Sequence, residues 1–137
     1  MKALSPLLVT IPRRDDPTGH GDYGMPRGTR KHKGFDLLAD PGTDVCLPMD
    51  GFITKIGYPY VGDMVLRYIE ITNHTYRWRL YYCKPIKGLQ VNDRMNRGDK
   101  CGIVQNVSKK HGGQMLNHIH IELYKNGLLT DPEPLLL

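Results

Sequence analysis

Along this chain apolar residues arrive in short runs, and within several of these they alternate with polar ones. DVCLPM (44–49), GFITKIGY (51–58), MVLRYIEIT (64–72), YRWRLYYC (76–83) and HIHIELY (118–124) are rich in β-branched and aromatic side chains. Such side chains suit a pleated, half-buried surface. No stretch keeps a helical period over three turns, and the nearest candidate, Val104 to His111, is polar. Fifteen glycines and ten prolines punctuate the runs with turns. The pattern predicts an all-β fold, a single domain of short antiparallel strands. Residues 1–18 read as an N-terminal arm or first strand, residues 19–137 as the domain, and DPEPLLL (131–137) as an extended strap. Two turn-rich passages, PGTDVCLPMDGFI (41–53) and VNDRMNRGDKCGIV (91–104), look weakly alike. They are either a duplicated strand–turn–strand unit or two β-turns alike by chance.

The last of these strands raises a chemical question. In an extended chain His118 and His120 share one face with Leu116 and Glu122, while Ile119, Ile121 and Leu123 line the other. Two imidazoles about 6–7 Å apart can converge on one cation. A half-buried strand with two histidines on its polar face is the equally open alternative. Upstream, HKGFD sets His32 and Asp36 four residues apart with Gly34 between them. In a gently turned segment both would face one way, and glycine would let the backbone approach closely. The alternative here is a solvated basic loop.

Composition narrows the class. The chain has 137 residues, 39% hydrophobic and 24% charged, which suits one folded domain. No apolar run is long enough to span a bilayer. The net charge of +5 is spread along the sequence, which favours a general attraction to polyanions over a specific nucleic-acid groove. MKALSPLLVTIPRR makes a poor secretory signal, so synthesis in the cytoplasm without a signal peptide is expected. Cys46, Cys83 and Cys101 are odd in number and lack metal-type spacing, which fits reduced thiols. Cys46 and Cys101 read as core, and Trp78 as half-buried packing.

HKGFD followed by NHIHIE resembles the lysostaphin-type (LytM-like) zinc endopeptidases. These bacterial cell-wall enzymes carry a His-x-Gly-x-Asp motif and a later His-x-His. The resemblance runs from about Gly19 to Pro132 and takes in both turn-rich passages. It implies a lysostaphin-like sheet built on a duplicated motif, with the zinc site in a groove. It further implies one Zn2+ per chain held by His32, Asp36 and His120, with His118 as the general base beside the metal. Glu122 on the same face is then either an acceptor that orients an imidazole or a solvated surface group.

Active members of that family carry a further histidine on a middle strand, in a Tyr-x-His-Leu stretch. The matching segment here is LYYCKPI (80–86), and Cys83 stands at that position. The run YYCKPIK also resembles the vertebrate leukocyte chemotaxin branch of the fold, which keeps zinc and is regarded as non-proteolytic. Cys83 is either an inert buried thiol or a fourth zinc ligand that closes the site. Tyr81, on the strand face that alternation shares with Cys83, is either packing or a substitute phenol donor. The expected function is a zinc-dependent endopeptidase cutting peptide bonds in peptidoglycan stems or cross-bridges. A phage-associated lysin carried by a virion or a secretion apparatus would suit a small basic chain of this kind. The rival is a zinc-binding structural or recognition module that leaves peptide bonds intact.

Overall fold

The alternation in HIHIELY organises the molecule, because its strand lies at the centre of the main sheet. The computed structural model describes the backbone of residues 11–12, 15–16, 19–20, 26–27, 30–31, 34–110 and 116–136. In chain order the strands are β1 (Ile11–Pro12), β2 (Asp15–Asp16), β3 (Gly19–His20), β4 (Pro26–Arg27), β5 (Arg30–Lys31), β6 (Phe35–Leu38), β7 (Asp44–Cys46) and β8 (Gly51–Gly57). Then follow β9 (Tyr68–Thr72), β10 (Tyr76–Tyr81), β11 (Cys83–Pro85), β12 (Arg94–Met95), β13 (Lys100–Val104), β14 (His118–Lys125) and β15 (Leu128–Thr130). Two short helices, α1 (Val107–Lys110) and α2 (Glu133–Leu136), complete the set among the described residues.

The main sheet runs β1-β6-β14-β10-β9-β8-β12, with β15 pairing the far half of β14, and every pairing is antiparallel. A smaller sheet, β11-β13-β7, supplies the second layer. One hydrophobic cluster joins Phe35, Leu37, Ile53, Ile69, Ile71, Trp78, Leu80, Ile119, Ile121 and Leu123 of the main sheet to Val45, Cys83, Cys101 and Val104 of the smaller one. The other face of the main sheet is polar. A one-residue slip of β14 would carry Ile119, Ile121 and Leu123 out of that cluster. At about 1.5–3 kcal/mol per buried aliphatic side chain, the slip would cost roughly 5–9 kcal/mol, so the register is locked. No described helix is long and apolar enough to cross a membrane.

The two look-alike passages turn out to be each other's partners. Asp44 and Cys46 pair with Ile103 and Lys100, and Gly51 and Phe52 pair with Met95 and Arg94. Between these pairs Leu47 N–H donates to Asp99 O at 2.9 Å, and Arg97 N–H donates to the Asp50 carboxylate. Matching turns thus meet across the seam between the two sheets.

Five sequence expectations change. Cys46, read as core, is only partly buried. MVLRYIEIT becomes strand only from Tyr68, because the Asp63 carboxylate accepts from the Val65 and Leu66 N–H groups and holds a turn there. The expected strap at the C-terminus is helix α2. Asp131 accepts the Glu133 N–H at 2.9 Å and Pro132 opens the helix, which is the chemistry of a capped first turn. Trp78 is fully buried, not half-buried. Finally, YRWRLYYC is two strands rather than one. Tyr82 takes a left-handed backbone (φ 66°), a conformation that non-glycine residues rarely adopt, and this breaks the alternation between β10 and β11.

Candidate functional site

Strand pairing builds the site in rungs. Asp36 on β6 is the cross-strand partner of His120 on β14, whose partner on the other side is Tyr81 on β10. The next rung is Glu122, Arg79 and Glu70. Residues directly opposite share a face, so these side chains all project from the polar side of the sheet. His118, two residues before His120, lies on the same face opposite Leu38. The apolar residues between them are what hold the strand in place.

His120 is gripped by two carboxylates. Its Nδ1 lies 2.8 Å from Asp36 Oδ1 and its Nε2 lies 3.0 Å from Glu122 Oε2. Burial alone would lower its pKa, but the two carboxylates outweigh burial and raise it to about 9. Glu122 is shaped by the same contact. Burial would raise its carboxyl, and the bond to His120 holds it below the ordinary range. Its other oxygen accepts from the Tyr124 hydroxyl at 3.2 Å. The site therefore favours positive charge at His120. Glu122, left open by the sequence between solvated and orienting, is buried and bonded to the imidazole.

His118 is 2% exposed. Its Nδ1 lies 2.7 Å from the Leu116 carbonyl, which can only accept, so Nδ1 carries a proton. Its Nε2 lies 3.5 Å from Asp36 Oδ2. Asp36, only 1% exposed, thus faces both histidines through different oxygens.

Each histidine also meets the ring of a tyrosine. Tyr81 stands edge-on to His120 at 5.3 Å between centroids, and Tyr82 stands perpendicular to His118 at 5.4 Å. Consecutive residues of a regular strand would point to opposite faces, and the left-handed turn at Tyr82 is what lets both rings approach the site. The Tyr82 hydroxyl is tied to the Tyr60 hydroxyl at 2.8 Å. Burial and the Glu122 charge push the Tyr81 phenol up to about 12, so it stays protonated at neutral pH.

The same turn sends Cys83 elsewhere. Cys83 does not share the face of Tyr81: it is fully buried in the core, hydrogen-bonded to Cys101, whose thiol in turn donates to the Val45 carbonyl at 3.4 Å. The bond to Cys101 and burial raise its pKa well above the ordinary thiol value. It is a packed thiol on the core side, away from the polar face.

Among the residues singled out from the sequence, the structure brings together Asp36, His118, His120, Glu122 and Tyr81. His32 lies outside the described residues. Among the described residues no group of three His, Cys, Asp or Glu side chains is arranged to hold a metal ion. Asp36 and His120 supply two donors of suitable chemistry, and the two carboxylates around His120 favour positive charge there. Gly34 lets the chain pass close to that spot. A Cβ there would run into the Ile121 carbonyl and come within 2.8 Å of His120 Nε2. Tyr82 had no sequence signal, because a left-handed tyrosine breaks the rule that alternation relies on. Arg77 and Arg79 were legible as the polar phase of YRWRLY.

Comparison with known proteins adds independent findings. The sequence model of peptidase family M23 matches residues 30–132. Leukocyte cell-derived chemotaxin-2 of Bos taurus is 31% identical over 121 residues, covering 88% of this chain and 76% of its own. Among solved structures, the catalytic domain of the antimicrobial peptidase lysostaphin from Staphylococcus simulans superposes with a TM-score of 0.65 at 22% identity. The match covers 86% of this chain and 90% of that one. A zinc-containing peptidase from Vibrio cholerae gives a TM-score of 0.61 at 20% identity, over 93% of this chain and 39% of that one. At these identities the structural matches establish the fold, which is the lysostaphin-like all-β arrangement expected from the sequence.

Proposed function

Because the chain belongs to peptidase family M23, we propose that it is a zinc-dependent endopeptidase that hydrolyses peptide bonds in peptidoglycan stem peptides or cross-bridges. The observation that carries this reading is the rung Asp36–His120–Tyr81 with His118 beside it. In this reading Asp36 and His120, joined by His32, hold one Zn2+ per chain. A bound zinc ion polarises a carbonyl and lowers the pKa of its water to about 7. His118 serves as the general base. Its Nδ1–H is fixed on the Leu116 carbonyl, so Nε2 is the nitrogen that takes a proton from water and returns it to the departing amine. Glu122 fixes the ring of His120, and the Tyr81 phenol remains a donor along the edge of the site.

The second reading, a zinc-binding structural or recognition module, is favoured by one observation. Cys83 stands where active relatives carry a histidine, and it faces the core. Purified zinc-loaded protein separates the two. Under the enzyme reading it releases new amino termini from peptidoglycan, and His118→Ala abolishes release while zinc content is kept. Zinc-loaded protein that cuts no wall type would leave the module as the function.

A further inference from the structure

The polar face of the main sheet continues past the histidines into a second, cationic region. Arg77 lies on the same face as Arg79 and Tyr81, two rungs farther along β10, opposite Tyr124 and Thr72. Four residues of extended strand place it about 13 Å from the Tyr81–His120 rung.

Glu70 accepts from Thr54 through Oε1 at 2.8 Å and from Arg79 Nε through Oε2 at 2.6 Å. The Arg77 Nε is 3.8 Å from the same Oε2, too far for a hydrogen bond, and this buried nitrogen has no hydrogen-bond partner among the described residues. Arg79 lies between Glu70 and Glu122, whereas among the described carboxylates Arg77 has only the longer contact to Glu70. Arg77 is held in place by stacking, its guanidinium carbon 4.3 Å from the centre of the Tyr124 ring. Stacking of this kind pre-orients the planar fork that carboxylates recognise. Arg77 and Tyr124 line a cleft of about 220 Å³ whose other walls include Thr75, Tyr76 and Asn126.

We propose that Arg77, stacked on Tyr124, is the carboxylate-binding subsite of this groove, taking the free carboxylate of the acidic residue in a stem peptide. The choice of ligand rests on the peptidase reading; the cationic cleft itself does not. Stacking holds in place a guanidinium on a side chain that is 38% exposed, and a carboxylate can meet it with charge-assisted bonds. An uncharged amide at the same position cannot.

Two peptides test this. Both are N-acetylated and C-terminally amidated L-Ala-γ-D-Glu-L-Lys-D-Ala; one keeps the glutamyl carboxylate, and its twin carries a carboxamide there. Affinities of the purified full chain are measured by calorimetry, with peptide integrity followed by mass spectrometry. The carboxylate peptide should bind at least about tenfold more tightly, the size expected of a charged hydrogen bond. Arg77→Gln should reduce the preference to less than about twofold while leaving affinity for the twin unchanged. Arg77→Lys, which keeps the charge but loses the fork, should retain part of the preference. Equal binding of the two peptides by the unaltered chain overturns the proposal without any variant. So does failure of both to bind, or a preference that survives Arg77→Gln. Carboxylate preference in a zinc-loaded protein that cuts no wall type would sink the peptidase reading alone, and cleavage without preference would sink the subsite alone.

Discussion

Replacing Cys83 with histidine is the substitution that the sequence comparison invites and the structure argues against. By motif position it would restore the missing imidazole of active M23 peptidases. In the folded chain, however, the Cys83 side chain is fully buried and bonded to Cys101, and a Cβ on Gly102 would already come within 2.6 Å of its Sγ. An imidazole is much larger than a thiol. Overpacking a close-packed core costs about 1–3 kcal/mol, and burying an unpaired ring nitrogen adds about 1–3 kcal/mol. Together these amount to about 2–6 kcal/mol, set against a total stability of about 5–15 kcal/mol for a domain. For a chain of this length each kcal/mol lowers the melting midpoint by about 3–5 °C. Cys83→His should therefore melt at least about 6 °C below the parent and gain no cleavage. Cys83→Ala, which loses only the thiol bond and a small volume, should fall by a few degrees at most. Thermal unfolding by circular dichroism, alongside release of amino termini from peptidoglycan, reads both effects. A Cys83→His protein with an unchanged midpoint and a rate gain of 10² or more would refute the argument. It would mean that the left-handed turn at Tyr82 does not determine which way position 83 faces.

Three further outcomes follow from the geometry around His120. Zinc binding near pH 7 should release about one proton, because His120 carries a proton with a pKa of about 9 in the metal-free protein. The release shows as a dependence of calorimetric heat on the buffer's ionisation enthalpy, and it should fade above about pH 9.5; a buffer-independent heat would contradict it. The sign for stability matches: a folded pKa above the ordinary 6.5 stabilises the metal-free protein fully below that value, and this contribution is lost as pH rises through about 9. Gly34→Ala should lower both the melting midpoint and the zinc content, since the new methyl meets the Ile121 carbonyl and crowds His120. Unchanged zinc stoichiometry and midpoint would show that the close approach at Gly34 is dispensable.

Much of the fold was legible because its strands obey one local rule. Where alternation runs unbroken, as in His118–Lys125 and Tyr76–Tyr81, the sequence assigned both the strand and its faces, and the structure follows. The likeness of residues 41–53 to 91–104 was also visible, but not its meaning. That two similar turns pair with each other is a long-range fact, and no local pattern encodes it. The ends of elements escaped for a related reason. Asp63, Asp131 and Tyr82 act through single hydrogen bonds or a single backbone angle, which override the tendency of the neighbouring residues.

The site divides along the same line. Asp36, His118, His120 and Glu122 could be placed on one face because alternation and a two-part motif locate them, and cross-strand pairing brings Asp36 opposite His120. Cys83 is the buried thiol of its two sequence readings; only its expected place on the face of Tyr81 fails, because one backbone angle overrides alternation there. One left-handed tyrosine moves the next side chain from the groove to the core, and at the same place brings a phenol ring against His118. Departure from the family pattern at position 83 therefore does not simply subtract a histidine from the groove. In this chain that position faces the core, and Tyr82, tied to Tyr60, lies against His118. Restoring the consensus residue at a position that faces the core therefore leaves the contact between His118 and Tyr82 as it is.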